Sequence, residues 1–278
     1  MEMKFIEAGQ VSLAYLEKNP QFEKTVYFIH GNSGSCRTWR KQFCYEFFNS
    51  YRLIAFDLPA HGQSSASDNP THDYSPITTG QIIATAIKNL ANDNSYALVG
   101  FSYGTNVIAE ALNHNLKPAG IVLNASCVIG QDYGLEKVFK PAATNIFFQD
   151  TNSEEEVKKY FSEIFMLPDK VNSQIYSEDF LAVRQPFRST LLQSVIEGKV
   201  SDEIASLKKC DIPLQLFFGL EDNMLNIDYL DSAPLIFWRD TINKLPQAGH
   251  FLQTNQPAMF NELLAEYLGE RFKAGHVS

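Results

Sequence analysis

The sequence predicts an α/β fold, a mostly parallel, doubly wound sheet interrupted by an inserted helical domain. Three observations lead to this prediction. Short apolar runs alternate with helical patterns through residues 1–126, which is the rhythm of parallel strands joined by crossover helices. The same alternation resumes over residues 211–278, whereas residues 127–210 show helical patterns and no convincing buried strand. We therefore assign 1–126 and 211–278 to a core domain and 127–210 to a helical insertion.

The strands of the first half are predicted from continuous apolar runs, which are typical of strands buried on both faces of a parallel sheet. A loosely alternating segment at 11–16 predicts an opening strand, and buried strands are predicted at 25–29, 52–56, 96–99 and 120–124. Helices are predicted at 37–48, from 75 or 78 to 90, and at 105–113. The first of these helices places Trp39, Phe43 and Phe47 on one face at spacings of four.

The elements of the inserted segment and of the second half are predicted from the same kinds of pattern. Residues 154–165 form an amphipathic pattern with Val157, Phe161 and Phe165 on one stripe. Further helices are predicted at 186–197 and 202–207 within the insertion. After it come predicted strands at 213–218 and 241–245, a closing helix at 257–268 and a loose tail at 273–278.

Composition narrows the classes of protein that the chain can represent. A net charge of −9 over 278 residues, with no basic patch, argues against nucleic-acid binding because phosphates would be repelled. The chain opens without an apolar signal region, and no apolar run is long enough to span a membrane. Its four cysteines match no metal-binding spacing, and nothing requires a disulfide. We expect a cytoplasmic protein that binds a small-molecule substrate without a metal or cofactor; the oligomeric state is left open.

The segment Gly100-Phe101-Ser102-Tyr103-Gly104 lies where the strand at 96–99 meets the next helix. This Gly-x-Ser-x-Gly pattern is that of a nucleophile elbow, a turn so sharp that only small residues fit two positions before and after the serine. The turn presents the serine hydroxyl at the carboxyl end of a strand, beside a helix N-terminus. The alternative interpretation is an ordinary serine in a turn.

A serine hydroxyl becomes an effective nucleophile when a histidine takes its proton and a carboxylate orients that histidine. Among the six histidines, His250 follows the last predicted strand, in a loop that reaches the same edge of the sheet. The carboxylates at strand ends are those of Asp57, Glu221 and Asp222. Asp222 is preferred because the order Ser102, Asp222, His250 is the one that hydrolases of this architecture use. Asp57 precedes the serine and is expected to anchor its own loop.

Acyl transfer through a serine also requires N–H donors for the oxyanion of the tetrahedral intermediate. One donor is predicted to be the backbone N–H of Tyr103, at the start of the helix after the elbow. The other is expected from the loop after an earlier strand, which points to the backbone of Asn32. His30 and His61 lie in glycine-bearing loops at strand ends, where we expect them to support the backbone.

Five segments, taken together and in order, resemble the α/β-hydrolase superfamily and cover nearly the whole chain. They are Val26-Tyr-Phe-Ile-His-Gly-Asn, Asp57-Leu-Pro-Ala-His-Gly-Gln-Ser, Gly100-Phe-Ser-Tyr-Gly, Gly219-Leu-Glu-Asp and Ala248-Gly-His-Phe. The resemblance implies the α/β-hydrolase fold, with the insertion at 127–210 as its helical cap. It also implies the same catalytic triad and oxyanion donors. A serine at 102 argues against the dehalogenase and epoxide-hydrolase branches, which use an aspartate there.

The resemblance implies a serine hydrolase that cleaves small or medium carboxylic esters through an acyl-enzyme, with its pocket between core and cap. A first alternative is a hydrolase of carbon–carbon bonds in ring-cleavage products, which uses the same triad. That branch usually has a cap arginine for a substrate carboxylate, for which Arg184 and Arg188 are candidates. It also tends to have Trp after the base, where this chain has Phe251. Phe251 and Arg188 are thus the expected substrate-binding residues. The second alternative is a non-catalytic ligand-binding member of the fold.

Overall fold

One sheet organises the protein, whose computed structural model describes residues 2–91, 95–141, 145–165 and 169–274. Its strands are β1 (Met3–Ala8), β2 (Val11–Lys18), β3 (Thr25–Ile29), β4 (Arg52–Phe56), β5 (Tyr96–Phe101), β6 (Gly120–Asn124), β7 (Leu214–Gly219) and β8 (Phe237–Leu245). They lie in the order β1-β2-β4-β3-β5-β6-β7-β8. The pairs β1–β2 and β2–β4 are antiparallel, and all later pairs are parallel.

Helices cover both faces of this sheet and fill the segment between β6 and β7. They are α1 (Arg40–Phe43), α2 (Pro70–Asp73), α3 (Pro76–Ala91), α4 (Tyr103–Leu112), α5 (Leu135–Val138), α6 (Glu154–Glu163), α7 (Lys170–Leu181), α8 (Phe187–Ile196), α9 (Glu203–Lys208), α10 (Leu252–Asn255) and α11 (Pro257–Ala274). Short 3₁₀ turns occupy Cys36–Trp39, Glu46–Ser50 and Asn145–Phe148. Every residue of β3, β5, β6 and β7 is buried, as expected for parallel strands between two helical layers.

The predicted fold class is confirmed, and the inner strands match the apolar runs that predicted them. Because β3 to β7 run parallel, the loops after their carboxyl ends gather along one edge of the sheet, where open α/β sheets bind ligands. Between β6 and β7 the described residues form helices, apart from two isolated bridges, Gly130–Tyr133 and Phe139–Leu225. The division of the chain at 127 and 210 stays our proposal.

Two element predictions were wrong in part, and β1 and α7 are among the elements that were not predicted. Strand β1 was not predicted, because it lies at the sheet edge and most of its side chains are at least partly exposed. Residues 37–48 form no single helix: α1 ends at Phe43, whose carbonyl accepts from Lys18 Nζ at 2.7 Å, and Phe47 is exposed. Strand β8 begins before residue 241, and its start was hidden by Arg239 and Asp240, which interrupt the pattern with positive φ angles.

The two glycines of the elbow are required by close backbone packing. A Cβ atom on Gly100 would lie 2.7 Å from the Gly104 carbonyl oxygen, and one on Gly104 would lie 2.3 Å from the Ile29 carbonyl oxygen. Distances this short to backbone atoms cannot be relieved by a side-chain rotation. The elbow therefore packs directly against the end of β3, as its sequence pattern predicted.

We expect Gly104→Ala to lower the free energy of unfolding by about 2 kcal/mol or more, because the added methyl group overpacks against the backbone. Gly269→Ala is the matched control: it lies inside α11, and its added Cβ has no atom within 4 Å apart from its chain neighbours and the nearby backbone of its own helix. That control should be neutral or stabilising by about 0.5–1 kcal/mol. Chemical denaturation of both variants measures the difference, and equal stabilities would contradict this account of the elbow.

Candidate active site

Ser102 lies between β5 and α4 in a strained backbone conformation. Its φ and ψ angles are 51° and −123°, outside the regions that non-glycine residues usually adopt. Strain of this kind persists where the surrounding structure imposes it, and it is frequent at functional sites. The main chain is held there because the Ser102 N–H donates to the Asn124 carbonyl at 2.9 Å and its carbonyl accepts from Thr105. The hydroxyl is thus presented at the sheet edge.

His250 links the predicted nucleophile to the predicted acid. Its Nε2 atom lies 3.0 Å from Ser102 Oγ, and its Nδ1 atom lies 2.9 Å from Asp222 Oδ2. The three residues come from the loops after β5, β7 and β8, so the parallel strands bring together side chains that are far apart in the sequence. With Nδ1–H donating to the carboxylate, Nε2 is free to accept the serine proton.

The Asp222 carboxylate is held by the backbone as well as by His250. Its Oδ1 atom accepts from the N–H groups of Met224, at 2.8 Å, and Leu225, at 3.0 Å. Burial opposes ionisation of this side chain, but His250 and the two N–H donors outweigh it, and the pKa of Asp222 is lowered. Asp222 is therefore ionised at neutral pH and can orient the imidazole.

The other two candidate acids have different partners. Asp57 accepts from the N–H groups of Cys36, at 2.7 Å, and Gln63, at 2.9 Å, and so joins two loops. Glu221 Oε2 accepts from the Ala248 N–H at 2.9 Å, which holds the loop that carries the histidine. Of the three carboxylates considered, Asp222 is the one in contact with the imidazole.

His30 and His61 support the loops at the sheet edge. His30 Nε2 accepts from the Leu58 N–H at 2.9 Å, and His61 Nε2 accepts from the Ser33 N–H at 3.0 Å. Both rings are buried, and burial lowers the pKa of each, so both are neutral near pH 7. Their protonated nitrogens face backbone carbonyls, at Gly31 and Pro59 respectively.

The loop that carries Asn32 passes directly beside the serine. A Cβ atom on Gly31 would lie 3.0 Å from Ser102 Cβ, which shows how closely the two segments approach. Within the described ranges, the N–H groups of Asn32 and Tyr103 have no hydrogen-bond acceptor. The Asn32 side chain is used separately: its Nδ2 donates to the Phe147 carbonyl at 2.6 Å. The two backbone N–H groups are thus free to stabilise an oxyanion.

A cavity opens beside Ser102 and His250, between the sheet edge and the helical insertion. It offers about 130 Å³ to the centres of water-sized molecules, roughly ten times what a single water needs. The insertion contributes apolar side chains to its wall, among them Phe147, Phe148, Leu191, Leu192 and Val195. Among the described residues that line it there is no Lys, Arg, Asp or Glu. The cavity is therefore suited to an uncharged, largely apolar ligand.

Phe251 lines this cavity and also connects the insertion to the core. Its ring centroid lies 4.7 Å from that of Tyr176 and 5.4 Å from those of Phe101 and Phe165. Tyr176 and Phe165 belong to the inserted segment, whereas Phe101 ends β5. The side chain that directly follows His250 thus forms part of the wall between core and insertion.

Arg188 does not reach the cavity. Its Nε donates to Ser33 Oγ at 2.8 Å, one terminal nitrogen donates to the Phe180 carbonyl, and the guanidinium stacks over the Phe180 ring at 3.8 Å. These contacts occupy the guanidinium within the protein. Arg184 is exposed and is likewise absent from the described cavity lining. The structure therefore brings Phe251 into the site but not Arg188, because Arg188 ties the insertion to the loop after β3.

Two polar residues of the cavity wall were not predicted. Cys127 Sγ lies 3.7 Å from Ser102 Oγ, and burial raises the pKa of this thiol to about 12, so it remains protonated. Asn106 lies on α4 one turn after the serine and lines the same cavity. The spacing of four from Ser102 was a usable signal for Asn106. Cys127 follows β6 by three residues and gave no comparable signal.

Across the described ranges, no group of three or more His, Cys, Asp or Glu side chains is arranged to hold a metal ion. No helix in the part of the chain that the structure describes is long and apolar enough to cross a membrane.

Comparison with known proteins identifies the family and supports the fold. The family model of the α/β-hydrolase fold matches residues 24–257. The chain belongs to the α/β-hydrolase family. Among solved structures, the N-acyl homoserine lactonase AidH with N-hexanoyl homoserine lactone superposes with a TM-score of 0.89 at 18% identity, covering 98% of this chain and 99% of that one. The esterase RhEst1 from Rhodococcus sp. ECU1013 superposes with a TM-score of 0.80 at 20% identity, covering 97% and 99%.

The curated relatives of this α/β-hydrolase are longer proteins, and the chain matches part of each. Protein ABHD8 from Homo sapiens is 21% identical over 258 residues, covering 90% of this chain and 56% of that protein. The chain thus spans little more than half the length of the first such relatives. Monoacylglycerol lipase ABHD6 from Rattus norvegicus is 21% identical over 283 residues, covering 96% and 82%. At these identities the structural matches establish the fold, and the family is that of hydrolases.

Proposed function

We propose that this α/β-hydrolase cleaves small or medium carboxylic esters through an acyl-enzyme formed on Ser102. The observation that carries the proposal is the continuous relay from Ser102 Oγ to His250 Nε2, at 3.0 Å, and from His250 Nδ1 to Asp222 Oδ2, at 2.9 Å. The relay opens on an apolar cavity. A hydroxyl, a base and an orienting carboxylate in this arrangement activate serine for attack on a carbonyl carbon.

The reaction proceeds in two halves. His250 Nε2 takes the Ser102 proton while Oγ bonds to the ester carbonyl carbon, and the resulting oxyanion accepts from the N–H groups of Asn32 and Tyr103. His250 then gives the proton to the departing alkoxide oxygen, the carbon–oxygen bond breaks and the alcohol leaves an acyl-serine. In the second half, a water molecule attacks the acyl carbon with His250 again as base, which releases the carboxylic acid and restores the serine.

Two features of the cavity favour an uncharged ester over the carbon–carbon bond hydrolase alternative. Ring-cleavage products of that class carry a carboxylate, which needs a cation in the binding site. Arg188 is engaged by Ser33 and Phe180, and no Lys or Arg is present among the described cavity residues. Burying an unpaired carboxylate in an apolar wall is strongly unfavourable. The assembled relay likewise favours an enzyme over a non-catalytic binding protein.

A substrate panel tests this function. We expect p-nitrophenyl esters from acetate to octanoate to be hydrolysed, with kcat/KM falling for longer chains because the cavity is limited in size. Simple lactones, which are cyclic esters, belong in the same panel beside a dienoate ring-cleavage product. The measurement is the steady-state kcat/KM for each compound. Turnover of the dienoate with no ester or lactone hydrolysis would contradict the proposal.

A further inference from the structure

Asn106 is one of the polar side chains of the cavity that the proposed mechanism leaves without a role. It lies in the first turns of α4, four residues after Ser102, and both side chains line the same cavity. It lines the cavity together with Cys127 and Ile129. A group bound to the serine through its carbonyl carbon therefore has Asn106 one helical turn, about 5 Å, further along the wall.

The surrounding hydrogen bonds fix the orientation of the Asn106 amide. Its Nδ2 donates to the Cys127 carbonyl and to Glu203 Oε2, both at 2.8 Å. Glu203 Oε2 also accepts from the Ile129 N–H at 2.7 Å, so this oxygen acts as an acceptor. Turning the amide over would set Oδ1 against these two acceptors at hydrogen-bond distance. The nitrogen therefore faces the protein, and the orientation follows from the network.

The Asn106 oxygen is left as an acceptor without a protein partner. Within the described ranges, the hydrogen bonds of the Asn106 side chain are made through Nδ2, and Oδ1 accepts none. The residue is almost wholly buried apart from its cavity side. When a ligand displaces water from this apolar cavity, an unpaired carbonyl oxygen is costly unless the ligand supplies a donor.

We propose that Asn106 Oδ1 is a specificity-determining acceptor that selects esters carrying a neutral hydrogen-bond donor, an amide N–H or a hydroxyl, on the part of the substrate that extends along α4. The inference rests on the proposed ester hydrolysis and narrows its substrate class. A simple alkanoate ester leaves Oδ1 unpaired and is a poorer substrate. A cationic ammonium donor does not fit, because the described cavity residues include no carboxylate.

Matched substrates that differ by a single N–H test the inference on the unmodified protein. The p-nitrophenyl esters of N-acetyl-β-alanine and N-acetyl-4-aminobutanoate are compared with their N-methyl analogues, which lack the donor. 2-Acetamidoethyl butanoate and its N-methyl analogue make the same comparison with the N–H on the alcohol part of the ester. We expect at least one N–H compound to exceed its N-methyl analogue about tenfold in kcat/KM. Equal values in all three pairs, with the plain alkanoates hydrolysed, would overturn the inference and leave the proposed function standing.

Two variants assign the discrimination to Asn106. In Asn106→Leu the acceptor is removed while the side chain keeps the same branching, and the N–H to N-methyl ratio should fall to about one. In Val195→Ala the same cavity is enlarged without loss of a polar group, and the ratio should stay at the wild-type value. An unchanged ratio in Asn106→Leu would overturn the inference.

Calorimetric titration of the same pairs into the Ser102→Ala variant measures binding in the absence of hydrolysis. An N–H preference of about tenfold in Kd supports the inference even if Asn106→Leu fails to fold. Equal Kd values in every pair would overturn it.

Discussion

Ser102→Ala should lower kcat for p-nitrophenyl butanoate by about 10⁴- to 10⁶-fold while the protein stays folded. The variant removes the oxygen that His250 Nε2 contacts at 3.0 Å, so no acyl-enzyme can form. The oxyanion donors and the cavity remain, so a small residual rate above the uncatalysed reaction is expected. Initial rates at saturating ester measure the loss, and thermal unfolding checks that the fold is retained.

Ser162→Ala is the control for this substitution. Ser162 is an exposed residue of α6 whose hydroxyl donates to the Lys159 carbonyl within the same helix. Its removal should leave kcat within about twofold of wild type, because an exposed helix substitution of this kind rarely changes a distant site. A Ser102→Ala variant with near wild-type kcat would refute Ser102 as the nucleophile.

Asp222→Asn should lower kcat by about 10⁴-fold with little change in shape. Oδ1 keeps the N–H donors of Met224 and Leu225, but an amide NH₂ then faces His250 Nδ1. That contact favours the tautomer with its proton on Nε2, which cannot accept the serine proton. The measurement is kcat across the pH range, compared with wild type.

Asp57→Asn distinguishes Asp57 from Asp222 as the candidate acid. Asp57 joins two loops through the N–H groups of Cys36 and Gln63, so its amide variant should lose about 1–3 kcal/mol of unfolding free energy. Its kcat per folded molecule should stay within about tenfold of wild type. If Asp57→Asn abolished turnover and Asp222→Asn did not, the assignment of the acid would be wrong.

The lowered pKa of Asp222 also predicts how stability depends on pH. A carboxyl group with a depressed pKa in the folded state stabilises the fold above its unfolded-state pKa, and this stabilisation disappears as pH falls through the folded-state pKa. The difference in unfolding free energy between wild type and Asp222→Asn should therefore narrow on acidification.

The parts of the site that could be predicted from sequence are those attached to the sheet edge. Ser102 and Asp222 each follow a buried strand whose apolar run was recognisable, and His250 follows β8, of which the last part was predicted. Parallel strands bring their carboxyl ends to one edge. Asp57 could be set aside because its position before the elbow favoured a loop contact, and its two N–H donors agree with that interpretation.

What could not be predicted depends on contacts between distant segments. The role of Arg188 is decided by Ser33 and Phe180, neither of which its own sequence neighbourhood indicates. The Phe43 carbonyl at the end of α1 accepts from Lys18 of β2, 25 residues earlier in the chain. The orientation of the Asn106 amide depends in part on Glu203, which α9 contributes nearly a hundred residues later in the chain. The local periodicity of apolar residues does not predict contacts between residues so far apart in the sequence.

The most direct test of the central claim is covalent labelling with a fluorophosphonate, which reacts with serines activated by a base. After brief exposure and proteolysis, mass spectrometry should find one phosphonyl adduct, on the peptide that contains Ser102. The adduct should be absent from Ser102→Ala and much slower to form in Asp222→Asn. A wild-type protein that hydrolyses esters but carries no adduct on Ser102, or carries it on another residue, would contradict the account.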